Sequence, residues 1–354
     1  MDDTAVGDGD SGGGNSGGGN SGGGGGGNSG GGGDGGLGPV VLTGATGFIG
    51  SHTLRALRDR NGRGGADRAV RVRALVRRIP EGAGSGPVEW VRGDLADPAA
   101  VRGLCEGARA VVHLASYIGA EERLGEAVNV DGARALMAEA TRAGVRRVVH
   151  LSTAAVYGAG PHRGVEVDEM PAEPVSVVSR TRLAGEAYAR RAGAVVLRPG
   201  IVLGAGDRWV VPALRELVER VPAEWDGGRA LLTVMDVGDL ARLIAAVAVG
   251  PRRVPPGVYH AGHPDPVRIG DLLAELAAHG VLPPRPDADW PLPVCLERLR
   301  ATPGRASERQ FSLAAQDHWY LADELWKRTG LSPGPGPLSR LAGTAGWYRD
   351  RLDR

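Results

Sequence analysis

Three evenly spaced glycines are the feature of this sequence with the clearest chemical consequence. Gly44, Gly47 and Gly50 directly follow an apolar run, 39–43. The first glycine allows a sharp turn, the second lets the backbone approach a pyrophosphate, and the third lets a helix pack closely on a strand. The start of that helix offers free N–H groups to phosphates. The predicted dinucleotide-binding residues of the turn are Gly44, Thr46, Gly47, Phe48, Ile49 and Gly50.

Two adjacent arginines occupy the position that decides which nicotinamide dinucleotide binds. In sheets of this kind an acidic residue at the end of the second strand binds the ribose hydroxyls of NAD. Here the second apolar run ends in Arg77 and Arg78, and no Asp or Glu occurs between Arg68 and Pro80. Guanidinium groups bind a 2′-phosphate, whereas a carboxylate repels it. The pair predicts NADP(H); the alternative is a solvated strand end in an arginine-rich chain.

The glycine turn and the arginine pair each follow a predicted strand. Along the chain, such apolar runs alternate with segments that have a helical pattern. The predicted strands are 39–43, 71–76, 88–91, 110–114, 147–151 and 194–197, and the predicted helices between them include 48–59, 126–143 and 180–192. Such alternation indicates βαβ units with right-handed crossovers. The sequence therefore predicts an α/β fold with a doubly wound parallel sheet, a Rossmann domain, and a smaller irregular C-terminal substrate-binding region.

Composition divides the chain into three parts. Residues 1–38 hold 21 of the 59 glycines, so we predict a disordered glycine-rich tail over 1–37. The Rossmann domain is predicted over 38–200, with 231–250 returning to it. The substrate-binding region is predicted over 201–230 and 251–354, where prolines cluster; helices are plausible in the second half of the chain at 210–221, 238–249, 269–279 and 338–351.

Charge and cysteine content exclude several classes of protein. The 354 residues include 42 basic and 41 acidic side chains, a net charge of +1, which predicts neither a nucleic-acid nor a membrane partner. The two cysteines, Cys105 and Cys295, predict no disulfide framework and no cysteine-built metal site. The sequence lacks a secretory signal pattern and an apolar run long enough to span a membrane. We expect a cytoplasmic monomer or homodimer that binds a small-molecule substrate and no metal.

Further motifs follow the glycine turn in a fixed order. They are 93–95 (Gly-Asp-Leu), 113–115 (His-Leu-Ala), 129–132 (Asn-Val-Asp-Gly), 151–158 (Leu-Ser-Thr-Ala-Ala-Val-Tyr-Gly) and 197–200 (Leu-Arg-Pro-Gly). With the glycine turn, they resemble extended and atypical short-chain dehydrogenases/reductases, the NAD-dependent epimerase/dehydratase-like group, over about 38–260. The resemblance implies that the cofactor also contacts Asp94, Leu95, Leu114, Ala115, Pro199 and Gly200. Taken singly, Asp94 could be a turn former, Asn129 a helix cap and Pro199 a strand stop.

The catalytic tyrosine of that family is absent here. Family members carry Tyr-x-x-x-Lys on the helix after the Ser/Thr segment, and the tyrosine exchanges a proton with the substrate oxygen. In the same register this chain has Val178 and Arg182, and no tyrosine lies between Tyr157 and Tyr188. Arg182 can still bind the cofactor ribose as a cation, but valine has no proton to give.

Three other hydroxyl groups are therefore candidates for the catalytic site. Thr153 stands at the family's Ser/Thr position, and we expect its hydroxyl near the substrate oxygen; the alternative is a threonine satisfied by backbone. Ser116 and Tyr117 follow the fourth strand, at the edge of the sheet where ligands bind. His162 is a weaker candidate and His113 is expected to be structural. The C-terminal tryptophans could line a flat apolar pocket or pack as core; they are Trp209, Trp225 and Trp290.

The motifs together imply a function. We expect an NADPH-dependent ketoreductase that reduces a ketone of a secondary metabolite, such as an aromatic polyketide of the angucyclinone type in antibiotic biosynthesis. Two alternatives stay open: a nucleotide-sugar epimerase or dehydratase, and a non-catalytic NADP-binding sensor protein.

Overall fold

The predicted apolar runs form strands: the four central strands of the main sheet bury every side chain, whereas the edge strand Val88–Arg92 is only partly buried. The computed structural model describes residues 38–59, 70–83, 86–284 and 286–352, so the predicted tail, 1–37, lies outside the described residues. In chain order the strands are β1 (Val40–Thr43), β2 (Val72–Val76), β3 (Val88–Arg92), β4 (Ala110–His113), β5 (Val148–Leu151), β6 (His162–Val165), β7 (Val195–Arg198), β8 (Ile201–Leu203), β9 (Glu224–Trp225), β10 (Leu231–Leu232), β11 (Val234–Asp236), β12 (Gly257–His260), β13 (Val267–Arg268), β14 (Asp289–Trp290) and β15 (His318–Tyr320).

Seven strands pair in parallel in the order β12-β7-β5-β4-β1-β2-β3. The chain winds outward from β1 in both directions, which confirms the predicted doubly wound Rossmann-like sheet. Ligands of such sheets bind at the carboxyl ends of the strands, where the winding reverses between β1 and β4. The loops that follow the carboxyl ends of these strands are therefore expected to form the ligand-binding site.

Helices connect the strands, and some of them cover the two faces of the main sheet while others pack in the second half of the chain. The helices are α1 (Phe48–Asp59), α2 (Glu122–Gly125), α3 (Ala133–Arg142), α4 (Val177–Arg191), α5 (Val210–Arg220), α6 (Val237–Val249), α7 (Ile269–Ala278), α8 (Leu292–Ala301), α9 (Glu308–Ala315), α10 (Asp323–Thr329) and α11 (Leu341–Leu352). A π-helical segment, Glu126–Gly132, joins α2 to α3. Among the described residues, no helix is long and apolar enough to cross a membrane.

Two cores lie against opposite faces of the sheet, since alternate side chains of a strand point to opposite sides. In β1, Val40 and Leu42 belong to a core that includes side chains of α1 and α6. Val41 belongs to the other core, which includes side chains of α3 and α4. A third core, which includes Trp225 and Phe311, lies in the second half of the chain.

The second half of the chain contains more regular structure than its sequence predicts. β12 lies within the stretch 251–354 that was assigned to the substrate-binding region, yet it is an edge strand of the main sheet. A second sheet has the order β13-β10-β15-β6, and the proline cluster at 283–293 includes the start of α8. Proline is compatible with a first helical turn, whose N–H groups have no intrahelical acceptor, and Pro293 lies there. Pro293 is therefore compatible with the start of α8, although the high proline content of 283–293 predicted an irregular segment there.

Candidate cofactor and substrate site

The predicted site residues gather at one edge of the sheet. The glycine turn follows β1, Arg77 and Arg78 follow β2, and Asp94 and Leu95 follow β3. Leu114, Ala115, Ser116 and Tyr117 follow β4, Thr153 follows the end of β5, Pro199 and Gly200 follow β7, and Arg182 lies on α4. Because all these strands are parallel, their carboxyl ends meet at the edge where ligands bind.

The glycine turn leaves no room for side chains. Gly44 has a φ of +75°, and a Cβ there would lie 2.7 Å from the amide nitrogen of Ala115. A Cβ on Gly50 would lie 1.9 Å from the carbonyl oxygen of Gly44. The turn is thus packed against the β4 loop on one side and against its own helix on the other. These contacts fit a dinucleotide, because backbone N–H groups at the start of α1 remain open to phosphates.

Replacing Gly50 with alanine tests this fit. We expect Gly50→Ala to lower the free energy of unfolding by about 1–3 kcal/mol, as for overpacking. We also expect NADPH affinity to fall about tenfold or more, since one charge-assisted hydrogen bond is worth about 1.5–3 kcal/mol. Gly343→Ala on α11, where a Cβ meets nothing within 4 Å, is the matched control and should leave both unchanged. Fluorescence titration and urea unfolding measure the two effects; equal behaviour of the two variants would refute the fit.

Arg77 and Arg78 are exposed, and neither makes a hydrogen bond or ion pair with another described residue. Their guanidinium groups are therefore available to an incoming anion. Asp94 is also exposed, and its Oδ1 accepts a hydrogen bond from the Ala96 N–H at 3.0 Å. This contact supports the turn-forming role considered for Asp94. Leu95 is buried, and its carbonyl oxygen packs closely on Gly132.

Asn129 holds the β4 loop to α4. Its Oδ1 accepts the Tyr117 N–H at 2.7 Å and the Ser116 hydroxyl at 3.2 Å. Its Nδ2 donates to the Tyr117 carbonyl and to Thr181 Oγ1, both at 2.9 Å. Asn129 is therefore no helix cap but a positioning residue in the π-helical segment. The Ser116 proton is engaged by Asn129, which makes Ser116 a poor donor to a substrate.

Thr153, Val178 and Arg182 lie on neighbouring elements, as the family register implies. Thr153 Oγ1 accepts a hydrogen bond from the Ala155 N–H at 3.2 Å, and none of the described residues accepts its hydroxyl proton. The backbone thus satisfies Thr153 as an acceptor but leaves it free as a donor. Arg182 Nη2 donates hydrogen bonds to the carbonyl oxygens of Leu151 and Ser152, at 2.7 and 2.6 Å. Ser152 directly precedes Thr153 in the chain.

Five strands end in buried polar residues on the face covered by α3 and α4. Each follows by two positions a valine that packs in the core on that face. The five residues are Thr43, His113, His150, Arg198 and His260, and all are at least 95% buried. Thr43 Oγ1 and His113 Nδ1 are 2.7 Å apart, and the His113 and His150 rings are 5.1 Å apart. A polar row therefore runs below the candidate site across five strands.

The outer end of this row is a hydrogen-bonded chain around Tyr157. Arg198 donates two bonds to Glu186 and one, at 2.9 Å, to the Tyr157 hydroxyl. His260 Nδ1 lies 3.1 Å from the Leu321 carbonyl, so Nδ1 holds the proton and Nε2 accepts from Tyr157 at 2.7 Å. Tyr157 is buried, and its hydroxyl proton is committed to His260.

Burial keeps these histidines neutral, which predicts a loss of stability in acid. Burial, with a smaller contribution from Arg182, lowers the pKa of His113 to about 4 from 6.5. As pH falls, the unfolded chain binds the proton first, so stability is lost from pH 6.5 downward and is kept above it. Between about pH 7 and about pH 5 this linkage costs about 2 kcal/mol. Urea unfolding should show His113→Gln losing that much less than the wild type; equal losses would contradict the assignment.

The remaining candidates lie elsewhere. His162 is buried on β6, with Nδ1 2.8 Å from the Tyr320 hydroxyl. Trp225 is in the third core, where its ring lies 4.9 Å from Phe311. Trp290 is half-buried on β14, whereas Trp209, at the start of α5, is 62% exposed. Trp225 and Trp290 are register partners on β9 and β14, and Trp225 lines a cavity of about 250 Å³, whereas Trp209 is the most exposed of the three.

Known proteins with the same fold include several reductases. The 2-alkyl-3-oxoalkanoate reductase of Stenotrophomonas maltophilia is 30% identical over 83% of this chain and 94% of its own. The ceramide reductase of Caulobacter vibrioides is 37% identical over 52% of this chain; the match spans about half, 52%, of the length of this relative. The structure of MoeE5 in complex with UDP-glucose and NAD superposes with a TM-score of 0.65 at 25% identity, over 89% of this chain and all of MoeE5.

A family model covers the glycine turn, the sheet and the polar row together. The model of the NAD dependent epimerase/dehydratase family matches residues 40–262, from β1 to just beyond β12. These residues hold all of the predicted site. The chain belongs to the NAD dependent epimerase/dehydratase family.

Proposed function

We propose that this protein is an NADPH-dependent ketoreductase that works without a tyrosine acid. One observation supports this above the rest. The cofactor edge of the sheet keeps the glycine turn and the Arg182 cation, while Val178 stands where the family has its tyrosine. Ketone reduction needs only one proton transfer, which another group can supply. The relatives named as reductases agree with this chemistry.

The proposed cofactor is NADPH because of the charge after β2. Arg77 and Arg78 are both exposed and have no other anion among the described residues. When NADPH binds, its nicotinamide C4 supplies the hydride. The family resemblance implies that the nicotinamide binds near Pro199, whose carbonyl oxygen accepts the Ala154 N–H at 2.8 Å. This bond ties the proposed nicotinamide loop to the segment that bears Thr153.

The proton is proposed to come from the substrate. As hydride reaches the carbonyl carbon, negative charge develops on the oxygen and needs a donor. Thr153 can donate a hydrogen bond but has too high a pKa to be the acid. A phenol beside the ketone can donate through an internal hydrogen bond. The chain then contributes hydride, orientation and the Thr153 hydrogen bond.

Exposed apolar side chains support an aromatic substrate. Ile118 follows β4, Val175 precedes α4 and Trp209 starts α5, and they are 46%, 51% and 62% exposed. The loop before Trp209 contacts α1, where the Ala205 carbonyl lies 2.8 Å from His52 Nε2. Large exposed apolar groups near a cofactor edge are typical of sites for flat apolar ligands. We propose an aromatic polyketide of the angucyclinone type, made in antibiotic biosynthesis, covered by 201–230 and parts of 251–354.

A nucleotide-sugar epimerase or dehydratase is the second candidate, favoured by the similarity to MoeE5, whose structure holds UDP-glucose. Epimerisation regenerates the cofactor, so it consumes no NADPH. The test is to mix the purified protein either with NADPH and planar hydroxyketones or with NAD⁺ or NADP⁺ and UDP-glucose, because epimerisation begins with hydride transfer to the oxidised cofactor. Our proposal expects NADPH consumption with a hydroxyketone only. Epimerised UDP-glucose with no NADPH consumed supports the second candidate, and cofactor binding without either reaction identifies an NADP-binding sensor.

A further inference from the structure

A partly buried positive charge lies beside the backbone of Thr153. Arg182 reaches from α4 to the end of β5, where its Nη2 donates to two carbonyl oxygens at 2.6 and 2.7 Å. Its Nε is buried and makes no hydrogen bond to the residues that the structure describes. Carbonyl oxygens share the protons of the guanidinium but have no net charge. The cation is therefore fixed in place without being neutralised.

The carboxylate that acts on Arg182 is already paired. Glu186, one turn along α4, accepts two bonds from Arg198 at 3.1 and 2.5 Å, and both side chains are buried. The other titratable groups that face Arg182 are His113 and His150, and burial lowers the pKa of each. This part of the described structure thus holds two cations, one anion and two neutral imidazoles, an excess of one positive charge.

A cation that is partly removed from water without gaining a counter-charge is costly, and the buried Nε of Arg182 has lost its water in this way. Burial lowers the pKa of Arg182 to about 10, so the side chain remains a cation at neutral pH. The cost is offset if a negative charge forms beside it during the reaction. Val178 lies one turn before Arg182 on the same face of α4, so no tyrosine stands between this cation and a substrate.

We infer that Arg182 stabilises the anion formed on the substrate, and that the site selects ketones with an acidic phenol or enol hydroxyl beside the carbonyl. This inference rests on the proposed reductase function. Hydride passes from nicotinamide C4 to the carbonyl carbon, and the carbonyl electron pair moves to oxygen. That oxygen takes the proton of the neighbouring hydroxyl and becomes an alcohol. The hydroxyl oxygen keeps the negative charge, faces Arg182, and regains a proton from water after release.

The test measures the pKa of a bound phenol. The probe is 1-hydroxyanthraquinone, a planar ketone with a phenol beside the carbonyl, bound with NADP⁺ and titrated by visible absorption. A cation within about 4–6 Å should lower the phenol pKa by about 1–3 units. We expect this shift in the wild type, in Arg182→Lys and in Arg180→Gln. Arg180 is the matched control, an exposed arginine on the same helix. Arg182→Gln should show a clearly smaller shift, namely the part due to the positively charged nicotinamide of NADP⁺, which is the same in every variant.

An unshifted phenol in the wild type, or equal shifts in the wild type and Arg182→Gln, overturns the inference. If Arg182→Gln does not fold, the wild-type and Arg182→Lys titrations decide, because the lysine variant keeps a cation and should keep the shift. NADP⁺ has no hydride to give, so the titration is independent of turnover. A shift with no NADPH consumption by any ketone therefore contradicts the proposed reductase function and supports the placement of Arg182.

Discussion

Replacing Arg77 and Arg78 together with serine is expected to weaken NADPH binding by about 2–4 kcal/mol, the size of paired charge-assisted bonds to one phosphate. NADH binding should barely change, because NADH has no 2′-phosphate. The physical reason is local: both guanidinium groups are exposed at the end of β2 and have no anion of their own among the described residues. Isothermal titration with the two cofactors measures the difference.

A second arginine pair provides the control for this experiment. Arg190 and Arg191 are adjacent and exposed at the end of α4. Their replacement with serine therefore removes an equal amount of positive charge at a different place in the protein. If a general loss of positive charge weakens NADPH binding, the control variant will show it as well. Equal weakening of NADPH and NADH by the Arg77/Arg78 variant would refute the assignment of the pair to the 2′-phosphate.

Methylating the phenol beside the substrate ketone is expected to lower turnover by about 1,000-fold, the upper range for loss of a donor to a developing oxyanion. The methyl ether cannot give a proton, and Val178 offers none in its place. Affinity should be measured alongside turnover, so that a substrate that merely fails to bind is recognised. Comparable rates for bound phenol and bound methyl ether would exclude the substrate as the proton source.

Thr153→Val should have a smaller effect on the same reaction, about 10- to 100-fold at most. Thr153 is expected to supply one hydrogen bond but not the proton. Thr344→Val on α11 removes an equivalent hydroxyl, one that donates to the Leu341 carbonyl within its own helix, and should not change turnover. If Thr153→Val abolishes turnover while Thr344→Val does not, Thr153 is the acid and the phenol is not required.

The central sheet could be predicted because its signals are local. Most strands of the sheet from β1 to β7 are short runs of apolar side chains, although β3 also contains Glu89 and Arg92, and the glycine turn marks the first strand-to-helix junction. The second half of the chain lacks such signals: β9, β10, β13 and β14 have two residues each, too few for a pattern. β12 was not predicted for another reason: its four residues lie between prolines at 255–256 and 264–266, which suggested irregular chain.

Some residues of the candidate site could be predicted from the sequence and others could not. Gly44, Arg77 and Thr153 could be found because motif spacing alone identifies them. His150, Arg198 and His260 could not, because a polar residue at a strand end looks in sequence like an ordinary exposed one. Their burial depends on α4 covering the sheet, a long-range contact. Their common position as the last or next-to-last residue of an apolar strand is the one signal that could have found them.

Deuterium transfer tests the central claim most directly. The purified protein is mixed with NADPH that carries deuterium at both positions of nicotinamide C4 and with a planar hydroxyketone, and the product is analysed by mass spectrometry and NMR. The account predicts an alcohol with deuterium on the carbinol carbon and one NADPH oxidised for each alcohol formed. An alcohol without deuterium, or no NADPH oxidised with any hydroxyketone while UDP-glucose is epimerised, would contradict it.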